Sequence, residues 1–227
     1  MGGQYQPYIN YLEGGYKDYP VDALRHSVNQ VYKQLRRLHT ELQGGEISWG
    51  YRPDNEEEYR ELQEVTRQIN AKYGRRFSES TVHSYFQTFL LYRSTIPTEA
   101  LVHLTMGGML PVYNGGLLQI SVRYFDVARK RPGLPEHVAA LVHSVQKSNI
   151  AMTLCNLHPS QQRRVIVQAG AFGEHQFTNV KFRCGDVAGE MEVKGRWFVV
   201  MIDPGCLIEL DVGLRRNANQ PSYIEPY

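Results

Sequence analysis

A change of hydrophobic period near the middle of this chain restricts its fold more than any other feature. Up to about Arg93 the apolar residues recur at helical spacing, and from Leu117 onward they mostly alternate, with turn dipeptides between the runs. Helices first and sheet second predict an α+β chain: an N-terminal helical part of three to four helices, followed by a small antiparallel β-sandwich. The expected division runs from an aromatic docking segment (1–20) through the helical part (21–116) to a strand and helix joint (117–148). An antiparallel β domain (149–213) and an extended tail (214–227) complete it.

Val21, Leu24, Val28, Val31, Leu35, Leu38 and Leu42 follow the three-four spacing of one buried helical stripe, which Gly44-Gly45 ends. A second helix is expected from Asp54-Asn55, which can cap its first turn, to Gly74. Glu56, Glu57 and Glu58 suit the positive end of its dipole. A third runs from about Glu79 to Arg93, with Val82, Tyr85, Phe86, Phe89 and Leu90 on its apolar side. Pro97-Thr98-Glu99 can open a short helix over Ala100 to Met106.

Leu118, Ile120, Val122 and Tyr124 alternate with polar residues, the mark of a half-buried strand. Pro135-Glu136 then reads as the start of a helix burying Val138, Leu141, Val142 and Val145. Strands are expected over Ile150–Leu157, Arg164–Ala169, His175–Arg183, Gly189–Val193, Trp197–Ile202 and Leu207–Val212. Between them lie His158-Pro159-Ser160, Lys194-Gly195 and Asp203-Pro204-Gly205 as turns. Trp197 and Phe198 are adjacent, so only one of them can face the core.

A net charge of +2 creates no field that demands a polyanion, which argues against a nucleic-acid partner. Basic clusters such as Arg129-Lys130-Arg131 read as solvated element ends. Cys155, Cys184 and Cys206 are widely spaced with no CxxC pair, so reduced thiols are expected rather than a metal site. The first twenty residues lack the basic start and apolar run of a signal peptide, and no window approaches a membrane span. A cytoplasmic protein with no cofactor is the expectation.

Four residues are candidates for acid–base chemistry. Glu99 and His103 share a helical face at i, i+4, which also suits a plain surface hydrogen bond. Glu174 and His175 sit on a glycine-flanked corner, Gly170 to His175, where a carboxylate beside an imidazole could transfer a proton. Adjacent residues of an extended segment point to opposite faces, however, so that pair needs a sharp bend to converge. Tyr5, Tyr8, Tyr11, Tyr16 and Tyr19 mark the first segment as a docking surface, for its own chain or for a sister subunit. Gly107-Gly108 and Gly115-Gly116 lack the lysine and the strand-to-helix order of a phosphate loop, and read as tight turns.

Asn156-Leu157-His158, the run Val165-Ile166-Val167-Gln168-Ala169-Gly170, Gly173-Glu174-His175, and Trp197 through Pro204-Gly205 together resemble the closing β-sandwich of larger bacterial multi-domain proteins. The likeness is greatest to the terminal sandwiches that follow the catalytic domain of many glycoside hydrolases. It covers the last third of the chain and includes no catalytic motif. The resemblance implies a supporting role. The expected function is a non-catalytic structural subunit or C-terminal module of a larger bacterial enzyme assembly. Its partner would be a larger protein subunit or another copy of the chain. The alternative is a small stand-alone enzyme with its site near Glu99, His103, Glu174 and His175.

Overall fold

The computed structural model describes residues 6–43, 97–108 and 120–227, with Glu57, Arg60, Glu64, Arg67, Gln68 and Ala71 between them. The chain is α+β. The helices whose bounds fall among the described residues are α1 (Gln6–Leu12), α2 (Tyr19–Gln43) and α3 (Glu99–Met106). Among the described residues nine strands follow: β1 (Val122–Asp126), β2 (Arg131–Pro132), β3 (Val138–Val145), β4 (Asn149–Asn156), β5 (Arg163–Ala169), β6 (Gln176–Cys184), β7 (Val187–Gly195), β8 (Trp197–Ile202) and β9 (Leu207–Arg215). The helices expected at 54–74 and 79–93 lie outside the described residues, apart from the six positions named above, all helical. Arg67 pairs there with Glu64 at 2.7 Å.

Two compact units divide the chain, Arg25–Pro97 and the combination of Met1–Leu24 with Thr98–Tyr227. The second unit holds every described strand. Its strands form a four-stranded sheet, ordered β2-β1-β5-β8, and a five-stranded sheet, ordered β3-β4-β9-β6-β7. All pairings are antiparallel.

The inward rows of both sheets meet in one apolar core. Val165, Val167 and Ala169 of β5 and Phe198, Val200 and Ile202 of β8 join Ile150, Met152 and Leu154 of β4 and Ile208, Leu210 and Val212 of β9. Phe177 of β6 meets Phe198 edge to face at 4.8 Å. Phe198 is the inward member of its pair, and half-buried Trp197 donates its Nε1–H to Gln168 Oε1 at 2.8 Å. Period-2 alternation puts every second side chain into that core, which is why these strands form where they do.

The stretch after Pro135 corrects the sequence reading. The expected helix there is β3, paired with β4 from Val138↔Asn156 to Val145↔Ile150 with a bulge between Val142 and Ser144. The bulge adds one residue to the alternation, so the core-facing set becomes Val138, Ala140, Val142 and Val145, which imitates helical spacing. Leu141 points the other way and is also covered, by Tyr8, Tyr11 and Leu104. A strand apolar on both faces loses the alternation that would identify it.

The first segment also differs from expectation, since α1 is a seven-residue helix with Tyr8 and Tyr11 on one buried face. It is too short to show a period. Along α2, by contrast, Val21, Leu24, Val28 and Leu35 remain exposed, so the helical spacing there does not record burial.

Outside the core, Phe125 and Ile166 face outward from the four-stranded sheet and are buried as well. The C-terminal tail accounts for part of this, because Tyr227 packs edge-on to Phe125 at 5.9 Å. Tyr223 does the same to Phe172 at 5.3 Å.

Candidate functional site

The site residues fall in two places on the unit formed by Met1–Leu24 and Thr98–Tyr227. The first is the seam where α1 and α3 lie against β3. Gly107 ends α3 in the left-handed conformation, and a Cβ there would meet Val142 at 2.8 Å, so only glycine lets α3 sit this close to the strand. His103 is buried in the seam. Its ring stacks on Tyr8 at 4.4 Å, and Nδ1 lies 3.0 Å from the Tyr19 hydroxyl.

The tyrosines spend their hydroxyls within the chain. Tyr8 donates to the His103 carbonyl at 3.0 Å and Tyr11 to the Val142 carbonyl at 3.1 Å. Tyr16 donates to Asp22 Oδ2 at 2.7 Å. Their rings pack on one another, with Tyr8, Tyr11 and Tyr16 each within 6 Å or so of Tyr19. Tyr5 lies outside the described residues. Burial, with the charge of Glu99 nearby, pushes the Tyr19 hydroxyl up to about 12. Burial also holds the His103 ring below the ordinary imidazole range, against an opposing pull from Glu99. His103 and the tyrosines packed on it are therefore neutral at neutral pH.

The second place is the corner Gly170–His175. Gly170 and Gly173 both have positive φ, +86° and +64°, and they supply the bend that the sequence reading required for Glu174 and His175 to converge. The two side chains do meet, with His175 Nε2 3.9 Å from Glu174 Oε1. The Glu174 carboxylate, however, accepts the backbone N–H groups of Ala171 at 3.2 Å and Phe172 at 2.7 Å. It closes its own loop.

His175 is tied to the C-terminal tail. Its Nδ1 accepts the Asn217 backbone N–H at 3.1 Å, which leaves the proton of the neutral ring on Nε2, toward Glu174. Burial lowers the pKa of this ring, Glu174 opposes the shift, and Arg216 adds to it. Asn219 Nδ2 donates to the carbonyls of His175 at 2.6 Å and Gly173 at 3.2 Å. Gln168 Nε2 donates to the carbonyls of Gly170 and Ala171. Asn217, Asn219 and Gln168 carry no sequence signal for this role. The asparagines lie more than forty positions from the corner they hold, and only folding reveals the pairing.

A groove of about 560 Å³ opens beside the corner, lined by Tyr8, Ser121, Phe172, Glu174, His175 and Arg216 among others. Neither Glu99 nor His103 lines it, so the structure does not gather the four candidates around one opening. Chemically the arrangement can offer an imidazole Nε2–H at the groove wall. Both oxygens of the neighbouring carboxylate already hold backbone amides. Among the described residues, no group of three or more His, Cys, Asp or Glu side chains is placed to hold a metal ion. No described helix is long and apolar enough to cross a membrane.

Comparison with protein-family models, with curated proteins and with solved structures finds no match to this chain.

Proposed function

We propose that the chain is a non-catalytic structural subunit or C-terminal module of a larger enzyme assembly, built on a β-sandwich. The shared core between the two sheets supports the sandwich. One observation carries the function. The polar groups best suited to chemistry are turned onto the chain's own backbone: Glu174 accepts two amides of its own loop, and His175 and Asn219 fasten the C-terminal tail to the sheet corner. A general acid or base needs a free oxygen or nitrogen facing substrate, and the corner uses its best acceptors internally. The resemblance of the last third to the closing sandwiches of bacterial glycoside hydrolases points the same way.

The test is sedimentation of the chain with and without the product of the neighbouring gene. A stoichiometric complex is expected. Glu174→Gln should lower the melting temperature of the module without changing the turnover of that complex at temperatures where both are folded. A second reading, a small acid–base enzyme, is favoured by the groove that Glu174 and His175 both line. A folded Glu174→Gln protein that loses a turnover which the isolated wild-type chain performs would establish that reading instead.

A further inference from the structure

Two sheets have four edge strands, and an edge strand offers unpaired N–H and C=O groups to any passing strand. Three of the four carry a device against this. β2 is two residues long and one is a proline. β3 is bulged. β7 carries Glu190, Glu192 and Lys194. β8 carries nothing of the kind: it reads Trp-Phe-Val-Val-Met-Ile, and its ladder to β5 runs unbroken from Arg163↔Ile202 to Gln168↔Trp197. Among the described residues β5 is the only strand it pairs with.

The side chains at this edge are apolar and open. Val199 and Met201 point away from the core and are 48% and 62% exposed. Register places Phe125, Ile166 and Val199 in one row across the outer face of the sheet. The first two are buried, and the row runs out into solvent at Val199. Beside the edge, an apolar groove of about 350 Å³ is lined by Phe182, Met191, Phe198, Met201, Ile208 and Leu210 among others.

We propose that β8 pairs antiparallel with β8 of a second copy across a two-fold axis, joining the two four-stranded sheets into one continuous sheet. Charge selects the occupant. A copy of β8 brings no like charge to an edge that carries none in any register, whereas β7 paired about Met191 would set Glu190 against Glu192 of the partner subunit. Register does the rest. A two-fold pairing centred on Val200 sets Val199 opposite Met201 of the partner subunit, so both exposed side chains are covered at once and the apolar row continues. The inference stands whether or not the module serves a larger enzyme.

Sedimentation equilibrium of the wild-type chain over a concentration series tests it, with Met201→Lys and Leu101→Lys alongside. Leu101 is an exposed apolar residue of α3 and controls for lost apolar surface. Wild type and Leu101→Lys should dimerise alike. Met201→Lys should dimerise roughly a hundredfold more weakly, since each dimer loses two buried methionines and gains two charges at the seam. Hydrogen exchange on the wild type reads the same contact without a variant: the β8 amides pointing away from β5 should become protected as concentration rises. A wild-type monomer throughout the series overturns the pairing. So does a dimer that Met201→Lys and Leu101→Lys weaken equally, or one whose β8 amides exchange independently of concentration. In any of these cases another strand, or none, covers the edge.

Discussion

Gly170 and Gly205 share a left-handed backbone, with φ of +86° and +67°, but not their surroundings. A Cβ at Gly205 would meet nothing, whereas one at Gly170 would run into the Glu174 carboxyl. Gly205→Ala should therefore cost only the backbone strain, about 1–2 kcal/mol. Gly170→Ala should cost the same strain and also pull the carboxylate off two amide donors, adding about 2 kcal/mol or more. Urea denaturation of the two variants gives the comparison. Equal losses would mean that Glu174 does not hold the corner. The glycines themselves were visible as turn signals. The carboxylate capping them was not, because its use depends on where two neighbouring amides point.

At the level of helices and strands, α1 is the element whose role changed most between sequence and structure. Its tyrosines were legible as a docking surface with two possible hosts. Tyr8 and Tyr11 bury their rings against His103, Leu104 and Leu141 of the same chain. Removing residues 1–16 should then uncover that seam and destabilise the fold by at least about 3 kcal/mol, as large buried aromatics do when truncated. Association should be untouched, since β8 lies elsewhere. Melting and sedimentation of one truncated protein read both quantities. An unchanged melting temperature with weakened association would reverse the assignment and give the tyrosines to a sister subunit. β8 and β9 were read with little error because each keeps one face in the core and one in solvent. β3 was misread because a bulge and a second apolar contact erased that contrast.

For the fold taken together, buried histidines set an acid limit. The pKa of His103 and that of His175 are both lowered from the ordinary 6.5, chiefly by burial. Below that ordinary value the unfolded chain binds more protons than the folded one. Their contribution is therefore complete above 6.5 and is lost as pH falls from there through the folded-state values. Protonation would also put a hydrogen on His175 Nδ1, which accepts the Asn217 amide, and so release the tail from the corner. Denaturation midpoints should fall between about pH 7.5 and 5, before most carboxylates titrate. The slope should flatten in His175→Gln. A flat profile in the wild type would show that neither ring is held neutral.

Local order was already written in the residue pattern. The switch of period separates helices from strands, and turn chemistry at Asp203-Pro204-Gly205 and Lys194-Gly195 places the strand ends. Both are short-range effects, decided by which face of an element is apolar and which residues tolerate a tight turn. Which strands become neighbours is a different matter. β8 leaves β7 and joins β5 in the other sheet, the tail returns to fasten His175, and Glu99 and His103 stay away from the corner groove. Each of these depends on contacts between residues tens of positions apart. No local pattern encodes them, because a side chain's partners across a core are chosen by packing and register after the elements exist.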